Sequence, residues 1–296
     1  MPRRTSPVTL SIPPPDELEQ VLAALRSWQG EEHPVPLHPG DLGWHHLRGA
    51  EATAAHLRLW SRDSRPAALG MLDGPDLVRL ALDPDLLEDE GLARTLAEHL
   101  TAPEHGVLPA GRASVEARSA PALRRALHTR SWVEGDAWVP LRRELTAEVG
   151  QASLHVASLT EDDLEDYAAV HRAAFDSTGV TAQRLRTMLE GPAQREHRAA
   201  SLLGRDESGT AVAVITAWSA GAGRPGLIEP LGVHPSHRGR GHGRAMCLAA
   251  AAWLRGEGAS SADVCTPRTL TGAVATYLSA GFRALGDARD LERPSG

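Results

Sequence analysis

Between Leu231 and Arg244 the chain reads L-G-V-H-P-S-H-R-G-R-G-H-G-R, with arginines and glycines interleaved directly after an apolar run. This is the chemistry of an anion cradle. Gly226 to Val233 has the apolar character of a strand, and Pro235 ends it by removing a backbone donor. Ala245 to Leu254, rich in Ala with Leu and Met at helical spacing, reads as a helix. Gly239, Gly241 and Gly243 therefore fall at a helix start, where unpaired N–H groups and a dipole of about half a positive charge favour an anion. Glycine lets the backbone come close to phosphate oxygens. Arg238, Arg240 and Arg244 bring forked donors and charge to the same place, and His242 is a further candidate donor. A diphosphate is the expected ligand.

Two common phosphate loops fail on these letters. A Walker loop needs Lys beside Ser or Thr, and the chain contains no Lys. The dinucleotide fingerprint needs G-x-G-x-x-G early in a strand-helix-strand unit, whereas the spacing here is G-x-G-x-G, late in the chain. What the segment does resemble is the acyl-CoA signature of the GNAT superfamily of N-acetyltransferases, R/Q-x-x-G-x-G/A, met by Arg238, Gly241 and Gly243. In that family the motif follows a strand ending V-x-P, here Val233, His234 and Pro235. About thirty residues later the family has a helix patterned N-x-x-A-x-x-x-Y-x-x-x-G-F. Ala273, Tyr277, Gly281 and Phe282 match it in register, while its Asn is replaced by Leu270. The resemblance covers about residues 152 to 290.

The resemblance implies acetyl-CoA as acyl donor, no metal, and direct attack by a primary amine of a small molecule in a ternary complex. It assigns the pantetheine and oxyanion contacts to the backbone of Leu231, Gly232 and Val233, on a strand that splays from its neighbour. The diphosphate falls to Arg238, Gly239, Arg240, Gly241, His242, Gly243 and Arg244. Glu229, four residues before Val233, takes the place of the base that removes the amine proton; Tyr277 takes that of the acid that protonates the CoA thiolate. A non-catalytic acyl-CoA sensor or partner-binding module is the alternative; it would have no need of Glu229 and Tyr277.

Length and composition bound the rest. At 296 residues the chain accommodates about two domains, and 42% hydrophobic with 23% charged residues is ordinary globular composition. All 31 basic residues are Arg and Asn is absent, which points to a GC-rich bacterial genome. A net charge of −7 argues against nucleic acid as partner. Cys247 and Cys265 suggest neither a zinc site nor a disulfide framework, and no signal or membrane-spanning stretch is apparent, so a cytoplasmic protein, monomer or homodimer, is expected. His33, His38, His45 and His46 lack ligand spacing and read as a solvated loop. Trp218, at a strand end, is a candidate for lining the acceptor cleft.

The two halves of the chain repeat one skeleton. Asp16 to Glu19 opens a helix as Asp162 to Glu165 does; Leu82, Asp83, Pro84 stands for Val233, His234, Pro235; Ser131, Trp132 stands for Gly281, Phe282. The offsets are 146, 151 and 150 residues (162 − 16, 235 − 84, 281 − 131). At the loop, however, the first half has Leu87, Glu88, Asp89, Glu90, whose carboxylates repel a diphosphate, and Leu127 replaces Tyr277. Residues 1–150 hold 16 Arg against 22 Asp plus Glu, and 151–296 hold 15 against 16, so the expected anion-binding half is the less acidic. The expected fold is α/β, of mixed α+β type: two tandem GNAT-like domains, each a mixed, mostly antiparallel sheet flanked by helices. Residues 1–149 form a degenerate domain not expected to bind CoA, and 150–296 the catalytic one. In the second copy a strand at 154–159, a helix capped near Thr160 and a helix at about 181–189 come first. Strands at about 199–203, 211–218 and 227–233 follow. One face of the capped helix, Leu164, Tyr167, Ala168, His171 and Phe175, is expected to be core.

Overall fold

A computed structural model describes residues 6–32 and 37–294, apart from the side chains of residues 196 and 197. His33 lies outside the described residues. Two compact units share the chain by exchanging segments: one takes residues up to 38, 50–137 and from 288 onward, the other 39–49 and 138–287. A cut at 149/150 does not separate them.

The first unit opens with β1 (Val8–Ser11) and α1 (Leu18–Ser27). The chain then lends α2 (Pro39–His45) to the second unit and returns with α3 (Ala50–Ala55), β2 (Leu57–Arg62), β3 (Arg65–Leu72) and β4 (Leu77–Leu82). Next come α4 (Glu90–Thr101), β5 (Ala113–Glu116) and α5 (Pro121–His128), and β6 (Val133–Glu144) leads into the second unit. There the order is β7 (His155–Ser158), α6 (Leu164–Phe175), α7 (Ala182–Leu189), β8 (Ala199–Arg205), β9 (Ala211–Trp218) and β10 (Gly226–Val233). It continues with α8 (His242–Gly256), β11 (Ser261–Pro267), α9 (Thr271–Ser279) and the short β12 (Arg283–Ala284). The last strand, β13 (Ala288–Arg293), belongs to the first unit.

Within the first unit the strands run β1-β2-β3-β4-β5-β13, with β4 and β5 parallel and the other pairs antiparallel. Within the second they run β7-β8-β9-β10-β11 and then residues 138–144 of β6, with only β10 and β11 parallel. Both sheets are thus mixed and mostly antiparallel, as expected, and each is finished by a strand from the opposite half of the sequence. Each unit has its own core. Trp60, Leu80, Leu96, Leu123 and Trp132 centre the first; Ile215, Ile228, Met246, Leu254 and Phe282 centre the second.

Local chemistry explains the element boundaries that matter for the site. Thr160 and Asp163 form a reciprocal capping box ahead of α6, the Thr160 N–H donating to Asp163 Oδ2 at 3.2 Å. The Thr181 hydroxyl accepts the Arg184 N–H at the start of α7. The repeated skeleton survives in detail at the ends of α5 and α9. Ser131 (φ 63°) and Gly281 (φ 86°) are both left-handed, and the next residue returns its N–H to Leu127 O or Tyr277 O, at 3.2 and 3.1 Å. Glycine adopts that conformation freely, whereas a serine held there costs about 1 kcal/mol.

Candidate active site

Strand β10 sets the geometry. It pairs with β11 only at Gly226 and Leu227; from Ile228 onward the two diverge, and β11 continues beside β6 alone. On its other side β10 pairs with β9 throughout, with a bulge between Ile228 and Leu231 that contains Glu229 and Pro230. Leu231, Gly232 and Val233 therefore present one backbone edge that no neighbouring strand covers among the described pairings. Glu229 lies at the mouth of this opening, half-buried, with its carbonyl accepting the Trp218 indole N–H at 2.7 Å.

Past Val233 the chain turns through Pro235–His237 into the glycine loop. Gly239 and Gly241 are left-handed, at φ 76° and 83°, and a Cβ at either would meet nothing within 4 Å. Gly241 is the N-cap of α8 and supplies no side-chain cap; the first turn carries no acid, and the first helical bond is Ala245 N to Gly241 O at 3.0 Å. The amides of His242, Gly243 and Arg244 precede that bond, so the helix start is both open and electropositive. Gly243 is needed for a different reason, since a Cβ there would stand 2.9 Å from Thr276 Cγ2 of α9.

The three arginines of the loop do not act alike. Arg238 spends its guanidinium on two backbone carbonyls, Val233 O at 3.2 Å and Ala174 O at 2.9 Å, tying the loop to the last turn of α6. Arg244 donates to Ser279 O at 2.9 Å and so caps the end of α9. Arg240 is exposed, with no hydrogen bond or ion pair among the described residues. Three imidazoles ring the loop: His234 bonds Ser236 Oγ at 2.8 Å, His237 lies 3.9 Å from the Asp206 carboxylate, and burial lowers the pKa of His242, helped by His237 and Arg240.

Tyr277 is buried on α9 and packs edge-on against Phe282. Its hydroxyl has no hydrogen-bond partner among the described residues and is not among the covered atoms, so it keeps solvent contact. Burial pushes this phenol well above its ordinary range, and Cys247, Glu229 and Cys265 add to the effect. The other tyrosine differs in this respect: Tyr167, fully buried, bonds Thr216 Oγ1 at 2.8 Å.

Residues 158–282 match the acetyltransferase (GNAT) family. The second unit thus resembles the GNAT acetyltransferases. The chain is 27% identical over 250 residues to the mycothiol acetyltransferase of Clavibacter michiganensis subsp. michiganensis, covering 80% of this chain and 79% of that one. The corresponding enzyme of Clavibacter sepedonicus is 28% identical over 199 residues, 67% of this chain and 63% of the relative. Among solved structures, a tandem GNAT protein from the clavulanic acid biosynthesis pathway superposes with a TM-score of 0.62 at 15% identity, covering 98% of this chain and 99% of that one. A GCN5-related N-acetyltransferase from Sphaerobacter thermophilus gives a TM-score of 0.57 at 18% identity over 98% of this chain and 96% of that one. The chain thus has the fold of tandem GNAT proteins, and no described helix is long and apolar enough to cross a membrane.

Several residues stand elsewhere than the sequence suggests. His38, His45 and His46 are buried and not in a solvated loop. Gly40 and Gly43 cause the burial of the latter two: they share one face of α2 and let it lie on the Trp218 ring, where a Cβ at either position would come within 2.4 Å of the indole. Trp218 is consequently 1% exposed and cannot line a cleft. Phe175, expected in the core, is 46% exposed, whereas His171 one turn earlier is buried. Burial, with a smaller contribution from Arg172, pushes the His171 imidazole down to about 4. The folded chain then resists a proton that the unfolded chain accepts near pH 6.5, so stability is full above that pH and falls as pH drops towards 4. Up to about 3 kcal/mol is expected from this one group, at about 1.4 kcal/mol per unit. Urea midpoints at pH 7.5 and 4.5 will show the loss, and His171→Phe will remove that part of it.

Proposed function

We propose that the second unit transfers an acetyl group from acetyl-CoA to a primary amine of a small molecule by direct attack in a ternary complex. The observation that carries this reading is the opening between β10 and β11 beyond Leu227, bounded by the uncapped, glycine-lined start of α8 and by the unpartnered Tyr277 hydroxyl. In this reading the amides around Gly241 to Arg244 bind the diphosphate with Arg240. Arg238 and Arg244 act by bracing the loop. The free edge at Leu231 to Val233 pairs with pantetheine, and one N–H there meets the negative charge that develops on the thioester oxygen. Such a donor is worth about a hundred- to a thousandfold in rate.

The proton path follows from two side chains. Glu229 takes the amine proton, through water, as the nitrogen attacks the carbonyl carbon. As the new C–N bond forms and the C–S bond breaks, Tyr277 donates its proton to the departing sulfur. Its raised affinity for that proton keeps it protonated at neutral pH. Thiol release from acetyl-CoA in the presence of a panel of amines tests the reading. Glu229→Gln is expected to lower kcat/KM about a hundredfold at neutral pH while the Kd for acetyl-CoA stays within about twofold. Tight acetyl-CoA binding with turnover of no amine would favour a sensor.

The first unit, in this reading, has lost the chemistry. The Asp89 carboxylate accepts the Leu92 N–H at 2.8 Å at the start of α4, where α8 is open, and also pairs with Arg62 at 2.6 Å. Strands β4 and β5 stay paired as far as Arg79 and Glu116, whose side chains meet at 3.2 Å across the place where β10 and β11 part. The name shared by the Clavibacter relatives supports a small-molecule acceptor.

A further inference from the structure

Three rings meet in the second unit on the face of β10 towards α6. His171 stacks on Phe175 with ring centroids 4.6 Å apart, and the Trp44 ring of α2 lies 5.3 Å from that of His171. The level of this stack along β10 is fixed at two points. One turn before His171, Tyr167 bonds Thr216, the β9 residue opposite the Glu229–Pro230 bulge. One turn after it, Phe175 overlies Gly232, where an added Cβ would come 3.1 Å from the Phe175 ring and 2.9 Å from Ala174 Cβ. His171 therefore stands between the bulge and Gly232, the level at which the reading above puts the thioester carbonyl.

Its imidazole is uncommitted. His171 is 6% exposed, Nδ1 is covered without a partner, and neither ring nitrogen bonds any described residue. Nε2, which is not among the covered atoms, keeps solvent contact. Buried polar atoms are nearly always satisfied, and an orphan of this kind calls for a missing partner. Core packing alone would be served better by Phe or Leu. Phe175 and Trp44 both neighbour the imidazole and both retain exposed surface.

We propose that His171 is a positioning residue for the acceptor, hydrogen-bonding a neutral polar group, a hydroxyl or an amide, that adjoins the reacting amine while Trp44 and Phe175 cover the acceptor's apolar or ring surface. This rests on the reading of the second unit as an amine acetyltransferase and names the acceptor class: an amine bearing a neutral polar neighbour. An imidazole kept uncharged suits such a group and would give little to a carboxylate.

The test uses the full chain and matched amines that differ in hydroxyl groups: glucosamine against cyclohexylamine, and serinol against isopropylamine, with acetyl-CoA as donor. The unaltered protein is expected to favour the hydroxylated member of a pair. In His171→Phe, which keeps a ring in the stack, that preference should fall at least about tenfold, carried by KM and not by kcat, and His171→Gln, which restores a donor and acceptor near Nε2, should recover part of it. Acetyl-CoA binding by calorimetry shows that each variant is folded. An equal loss for both members of a pair, or an unchanged preference, overturns the inference and leaves the transferase reading standing. Turnover of no amine by the unaltered protein overturns both.

Discussion

Tyr277→Phe is expected to lower kcat about a thousandfold while acetyl-CoA binds as before. The substitution removes one oxygen from a covered ring that hydrogen-bonds nothing among the described residues, so packing against Phe282 survives and no partner is left stranded. What is lost is the proton for the sulfur, and an acid placed for such a transfer contributes about a hundred- to ten-thousandfold. Stopped-flow release of thiol, with Kd for acetyl-CoA from calorimetry, separates the step from binding. A kcat within threefold of the unaltered protein removes Tyr277 from the mechanism. Raising the pH should not rescue the variant, because a phenylalanine has nothing to titrate, whereas Glu229→Gln should recover part of its rate as more of the amine becomes neutral.

Gly241→Asp should weaken acetyl-CoA binding about a thousandfold. The first unit already carries the product of such a change, in the form of Asp89 capping α4 through the Leu92 N–H. An aspartate at Gly241 would likewise hold a carboxylate at the helix start, where the diphosphate is expected. Two unit charges about 4 Å apart at an effective dielectric of about 20 repel by about 4 kcal/mol, which is about a thousandfold in Kd. A new Cβ meets nothing within 4 Å, so the structural cost is that of a left-handed backbone at φ 83°, about 1–2 kcal/mol. The unfolding temperature should therefore fall only modestly. Binding within tenfold of the unaltered protein would mean that the phosphates lie elsewhere.

The sequence was informative wherever one residue type answers one backbone need. Val233-His234-Pro235 ended a strand, the glycines opened a helix, and Ala273 and Tyr277 fell on α9 in the expected register, with Gly281 just past its end. Thr160 capped as expected because a capping box is a local exchange of two hydrogen bonds. Long-range events were not legible. Nothing near Arg238 announces that its guanidinium will be spent on Val233 O and Ala174 O, the latter 64 residues away. The lending of residues 39–49 to the second unit was equally hidden, although Gly40 and Gly43, three apart beside Trp44, were a faint sign of a helix made to lie close against something. His171 looked like one more core position because helical periodicity reports which way a side chain points and says nothing of whether its nitrogens find partners.

The exchange of closing strands also bears on how the polypeptide acquires its shape during synthesis. Domains ordinarily fold from the amino terminus as the ribosome releases them. Here β13, at residues 288–293, completes the sheet that begins with β1, so the earliest-made unit stays open-edged until those residues have been made. The later unit, by contrast, finds its borrowed pieces, 39–49 and 138–144, already made. The second unit is thus able to mature before its elder sibling, and loss of residues 288–293 would injure the unit that was begun first.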